Sequence, residues 1–254
     1  MVTGTKENLT QMRNREAIRF WKSTEYNELE KAYGNYLFVP LDIPVIQAND
    51  QQAFLEFFHA NSAPTNRIKE ELAGSPSNVT VFKTIDSHSE NGSWSRNYVA
   101  DLFSNFSEIL EQIYEYYPID PATLNFALWS SQLNVDPHRD VSAMIDMPIN
   151  FRLKLFDNNP FETLKLHLSP VDKKVDTIYR FRLPKDTNSF VWNNLRLKHS
   201  SVKLTGYEKI LMIIYTNYNL DMNKFIDLLD RSISKYKDSL IVDTYTTSAD
   251  YINH

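Results

Sequence analysis

From residue 122 to about 218 the apolar residues of this 254-residue chain recur with a period of two, and that rhythm constrains the fold more than any other feature. Residues i and i+2 of an extended chain share one face of a sheet, so each run needs a partner strand and a surface to cover it. The runs are 123–130, 148–157, 163–169, 177–183, 189–192, 196–203 and 208–218, separated by Asn, Asp, Pro and Gly. With no helical pattern between them, they fit a β-sandwich or jelly roll and not a parallel βαβ sheet.

On either side of this region the period lengthens. Between Asn97 and Tyr117, Val99, Leu102, Phe103, Phe106, Ile109, Leu110, Ile113 and Tyr117 recur at three and four, and Pro118 follows as a stop. Such a stripe predicts a helix lying on something large and flat, a sheet. Asn49 or Asp50 is placed to cap a helix through about residue 60, with Ala53, Phe54, Phe57 and Phe58 on one side. Residues 13–33 permit a helix without a sharp stripe. The stretch Tyr36–Ile46 is β-rich but punctuated by prolines that keep it at an edge or turn, and Val79–Phe82 is a short β-like run inside the turn-rich segment 61–96. Asp221–Tyr236 returns to helix, with Phe225, Leu228, Leu229 and Ile233 apolar. The expected fold is mainly β with flanking helices. A helical and mixed portion over 1–120 packs on a β core over 121–220, and a C-terminal helix and tail follow over 221–254, all in one structural domain.

Composition removes several classes of function. The chain has no cysteine, so disulfides, zinc–thiolate sites, iron–sulfur clusters and thiol nucleophiles are excluded, and any metal must be held by His, Asp, Glu or backbone oxygen. A net charge of −5 with no long Lys/Arg run gives no footprint for duplex binding, so nucleic acid is not the expected partner. The polar N-terminus lacks the apolar core of a signal peptide and no run of eighteen apolar residues occurs, so no membrane association and a cytoplasmic location are expected.

Within the β region lies Asp136-Pro137-His138-Arg139-Asp140. On extended backbone His138 and Asp140 leave the same side of the sheet while Arg139 points away, the local geometry two ligands need. Alone, a His-x-Asp triplet in a chain with six histidines is unremarkable. Fifty-nine residues after Asp140 stands His199, and two imidazoles with one carboxylate form a facial set that suits iron(II) and leaves open positions. Ten residues beyond His199, Lys209 opens the otherwise apolar run Ile210–Tyr215. A cation at the mouth of a buried strand is costly unless an anion accompanies it, and no carboxylate alternates with it inside that run. An acidic ligand would supply one.

With these residues in this order, residues 123–218 resemble the 2-oxoglutarate- and iron(II)-dependent dioxygenases. Their double-stranded β-helix, a cupin-like jelly roll, carries His-x-Asp on an early strand, a distal His later, and a basic residue about ten positions further on. The resemblance implies that His138, Asp140 and His199 ligate iron, that Lys209 pairs with the far carboxylate of 2-oxoglutarate, and that oxygen is the cosubstrate. Lys in this role looks like the prolyl-hydroxylase branch. The strand Asn150-Phe151-Arg152-Leu153-Lys154-Leu155 is similar to one in the aspartyl/asparaginyl β-hydroxylase-like group, which makes Arg152 the competing anion binder; its planar fork suits a carboxylate well. The ordinary alternative for Arg152 is a solvated strand face. The DNA-repair demethylase branch is not matched, because apolar residues follow Lys209.

Among the remaining candidates, Asn193, Asn194 and Ser200 lie close enough in sequence to orient the His199 ring. His167 alternates with leucines and is expected to face solvent, His59 is expected to be structural or exposed, and His88 to lie in a loop. The implied activity is hydroxylation of a protein side chain or a small molecule. Two other readings stay open: a non-catalytic cupin-like jelly roll that binds a metal or acidic ligand, and a structural β-sandwich in which the triplet is fortuitous. Substrate identity and oligomeric state are not legible.

Overall fold

The period-two runs form two antiparallel sheets stacked on one another, with helices over the outer face of the larger. The structure, a computed structural model, describes residues 24–61, 81–83, 104–119, 125–130, 135–138, 141–142, 145–146, 149–159, 164–168, 177–180, 183–193, 197–201, 205–215 and 220–242. In chain order its elements are α1 (Thr24–Tyr33), β1 (Tyr36–Pro40), α2 (Gln51–Asn61), β2 (Val81–Lys83), α3 (Ser107–Tyr116), β3 (Asn125–Ser130), β4 (Val135–His138), β5 (Val141–Ser142), β6 (Ile145–Asp146), β7 (Ile149–Asp157), β8 (Leu164–Leu168), β9 (Thr177–Arg180), β10 (Ser189–Asn193), β11 (Leu197–Ser201), β12 (Lys209–Tyr215), α4 (Met222–Lys235) and β13 (Ile241–Val242).

The larger sheet runs β13-β1-β10-β7-β12-β3-β2, the smaller β4-β11-β8-β9, and β5 pairs with β6. From β3 onward the chain alternates: β3, β7, β10 and β12 join the larger sheet, while β4, β8, β9 and β11 join the smaller. Every pairing is antiparallel.

Strand alternation divides the apolar residues between two cores. Phe126 and Leu128 of β3, Phe151, Leu153 and Leu155 of β7, and Ile210, Met212 and Ile214 of β12 pack under the helices, against Phe54, Ile109, Ile113, Phe225 and Leu228. Aromatic edges knit this layer, Phe151 meeting Tyr117 at 5.2 Å and Phe225 at 5.4 Å between ring centroids. The opposite face of the larger sheet turns Phe190 and Trp192 toward Leu166 and Leu197 of the smaller one, with Leu37, Phe38 and Ile241 completing that second core. Each such buried side chain contributes about 1.5–3 kcal/mol relative to exposure.

Polar groups tie the layers. Asp50 Oδ1 accepts from Ala53 N and caps α2, and Asp221 accepts from Lys224 N and caps α4. Ser232, fully buried in α4, accepts from Asp42 N at 2.8 Å and donates to Leu228 O. Tyr117 donates to Ser189 Oγ at 2.8 Å, and burial holds its hydroxyl well above the usual tyrosine range.

Some details depart from the sequence reading. The strand expected over 36–46 ends at Pro40. The helix expected over 97–117 is interrupted at Phe106 (φ −139°, ψ 48°), whose ring meets Phe54 and Phe57, between helical Ser104 and Asn105 and the start of α3 at Ser107; residues 97–103 lie outside the described residues. The short strand β13 was expected as polar tail, and it pairs with β1. No helix among the described residues is long and apolar enough to cross a membrane.

Candidate functional site

The candidate site begins where β4 and β11 pair. His199 stands directly opposite His138 in that register, and on its other side opposite Leu166 of β8. Opposed residues of an antiparallel pair share a face, with Cβ atoms about 4.5–5.5 Å apart. Sixty intervening residues thus collapse to one cross-strand step. Asp140 lies outside the described residues, as do Asn194 and His88, and only the backbone of His138 is described. Among the described residues no group of three His, Asp or Glu is gathered as a metal site.

The His199 ring faces the interior between the sheets, where its centroid lies 4.9 Å from that of Trp192 on β10. Over the same indole sits Arg152, its guanidinium carbon 4.3 Å from the ring centroid. One indole therefore meets both the arginine and the histidine. Arg152 occupies this place because Phe151 and Leu153 turn toward the helices, which forces the residue between them inward, in register with Phe190 and Ile213. It is 1% exposed and donates to Asn150 O at 3.0 Å. The solvated-face reading of Arg152 is therefore wrong: the second sheet covers that face.

Two residues earlier, Asn150 is also 1% exposed, in register with Trp192 and Tyr215. Neither its side-chain nitrogen nor its oxygen has a hydrogen-bond partner among the described residues. A buried amide in this state is expensive, and a polar ligand between the sheets would satisfy it.

Lys209 is buried at the start of β12, opposite Asp157 of β7. A register shift in this pairing accommodates one extra residue of β7 and brings Lys154 and Asp157, three apart, into an ion pair of 2.8 Å. No carboxylate alternates with Lys209 along β12, but the neighbouring strand brings one to the facing position. The adjacent Glu208 pairs with His59 at 2.9 Å, and His59 is exposed as expected.

His167 reverses its expectation. It is buried, and its Nε2 lies 2.6 Å from Ser200 Oγ. The β8–β11 register sets Leu166 opposite His199 and Lys198 opposite His167, so His167 and Ser200 share the other face of the smaller sheet. Ser200 consequently serves His167 and not His199, since successive strand residues point to opposite faces. Asn193 does not orient His199 in any described contact; its amide donates to Gly34 O at 3.3 Å. The sequence reading missed Trp192 and Asn150. Their signal was present, because Trp192 shares a face with Phe190 and Asn150 with Arg152.

No family model matches the chain and no curated protein matches it. Among solved structures, it is similar to a prolyl-4-hydroxylase from Pseudomonas putida (TM-score 0.37, 8% identity, 74% of this chain and 97% of the other). It is likewise similar to a prolyl hydroxylase from Trichoplax adhaerens in complex with a hypoxia inducible factor oxygen degradation domain peptide fragment (0.39, 11%, 86% and 96%). A third match is an oxidoreductase of the 2OG-Fe(II) oxygenase family from Burkholderia pseudomallei (0.39, 8%, 86% and 95%).

Proposed function

We propose that the chain is a 2-oxoglutarate- and iron(II)-dependent oxygenase built on a double-stranded β-helix, and that it hydroxylates a peptidyl side chain or a small molecule. The observation that carries this is the cross-strand pairing of His138 with His199, beside an indole that also carries a buried arginine. The alternation of β3, β4, β7, β8, β9, β10, β11 and β12 between two antiparallel sheets supports the jelly-roll reading.

The donor set fits the metal. His138 and His199 hold opposed register positions, from which two imidazoles would meet one metal, and Asp140, two residues beyond His138, would add the carboxylate of a facial set. Iron(II) and 2-oxoglutarate bound there would supply the oxygen activation that hydroxylates a C–H bond, with succinate and carbon dioxide as coproducts. The residues of this chain would do the holding. Arg152 offers a planar fork for the far carboxylate of 2-oxoglutarate, on the face that Trp192 shields from water. Arg152 is favoured over Lys209 because its guanidinium lies on the same indole that the His199 ring meets. The two sheets would exclude water from the reacting groups.

The test is an anaerobic titration of the metal-free protein with iron(II) and then 2-oxoglutarate, reading the visible charge-transfer band of the chelate. The band is expected in the wild type and absent in His199→Ala. Arg152→Met should raise the 2-oxoglutarate dissociation constant by about a hundredfold, as loss of a charge-assisted bidentate contact implies, while Lys209→Met changes it little. The reverse order moves the anchor to Lys209. No iron binding at all would sink the oxygenase reading.

A further inference from the structure

A second concave site opens on the helical side of the larger sheet, between α1, β1, β10 and α4. Its cavity volume is about 60 Å³, and its lining includes Glu30, Tyr33, Tyr36, Trp192 and Phe225. Glu30 is the one ionisable acid or base among the lining residues other than the tyrosines. Its Oε1 is buried and has no hydrogen-bond partner among the described residues. Gly34 leaves room beside this residue: a Cβ there would clash with Glu30 O and press on Glu30 Cγ at 3.2 Å.

A carboxylate oxygen shut from water without a donor is expensive, and Tyr33, Tyr36 and Phe225 line the same cavity. The field at the mouth has the same sign. Tyr33 donates to Asp230 at 2.7 Å, and its pKa is pushed up to about 12, first by burial and then by Asp230 and Asp227. A ligand that answers all these features is positive, has an apolar stem, and carries an N–H for Glu30.

We propose that this pocket binds a primary alkylammonium group, with Glu30 accepting its N–H and the aromatic residues packing on its stem and charge. The site is independent of the iron reading, although Trp192 borders both. A quaternary ammonium lacks the N–H that Glu30 needs, and a neutral alcohol lacks the charge. The same chemistry is offered by a free amine and by a lysine side chain.

The test is titration of the 254-residue chain with n-butylammonium, followed through the backbone amide resonances of Gly34 and Val191. A saturable shift is expected, with tetramethylammonium and n-butanol each weaker by about tenfold or more, the loss expected for one charge-assisted contact. Glu30→Gln should show the same loss. Tyr33→Leu, at the rim, should weaken binding by a few-fold and keeps the test usable if the first variant folds poorly. Nα-acetyl-lysine methylamide separates the sources: tighter binding than n-butylammonium assigns a peptidyl lysine, and weaker binding a free amine. Equal affinity for butanol, unchanged affinity in Glu30→Gln, or no saturable shift in the wild type would overturn the proposal.

Discussion

Trp192→Leu tests whether the two sheets are joined through the candidate site. The indole is 3% exposed and meets Phe190 at 5.7 Å, His199 at 4.9 Å and the Arg152 guanidinium at 4.3 Å. Truncating a buried tryptophan to alanine costs about 3–5 kcal/mol; leucine refills part of the space, so the stability loss should be about 2–4 kcal/mol. For a chain of this size that lowers Tm by about 5–15 °C. Loss of the cation–π contact also frees Arg152 from its platform, and at about 1–2 kcal/mol this weakens 2-oxoglutarate roughly 5- to 30-fold. Urea unfolding with an unchanged m-value and the anaerobic chelate titration read the two effects separately. A Tm within a degree or two of wild type would refute the placement of Trp192 between the sheets. A large Tm loss with unchanged 2-oxoglutarate affinity would reduce the residue to packing alone.

Three further perturbations have outcomes fixed by local geometry. Asn188 accepts from Ile46 N at 3.0 Å and donates to Ile46 O and Lys154 O; Asn188→Ala strands these buried groups and should cost about 2–4 kcal/mol in denaturant unfolding, whereas a loss under 1 kcal/mol would mean water replaces the amide. Lys235 holds the Asp186 carboxyl below its usual range across 2.8 Å, so that contribution is present above the unfolded carboxyl pKa and fades as pH falls through the folded one. Because Asp186 is 55% exposed, Asp186→Asn should cost at most ~1 kcal/mol at neutral pH, a difference in Tm that closes below about pH 4. Gly206, at φ +83° with open space around it, should lose about 1 kcal/mol on substitution by Ala, and less by Asn; equal losses would indicate a clash in place of backbone strain.

Strands β3, β7, β8, β9, β10, β11 and β12 were legible because period two is a local property, and the α2 cap was legible because Asp50 sits immediately before its apolar stripe. Pairing between distant strands has no such local signature. Nothing near Lys209 announces Asp157, and nothing near His138 announces that β11 lies beside it. Strand β13 has only two residues and no period to read.

The misplacement of polar strand residues has a different origin and a remedy. His167 and the alternative for Arg152 were both assigned to water because polar-out alternation is the ordinary pattern of a sheet with one wet face. For Arg152 that default fails because both faces of the larger sheet are already claimed. The helical stripes of α2, α3 and α4 require one face of the larger sheet, and the smaller sheet requires the other. A strand such as β7 then has no solvated side, so Asn150 and Arg152 must go inward whatever their polarity. Two polar residues carried into an interior between sheets cost stability unless something polar meets them there. Once the amphipathic helices and the strand count are both read, that cost itself marks β7 as the strand facing a ligand, before any motif is consulted.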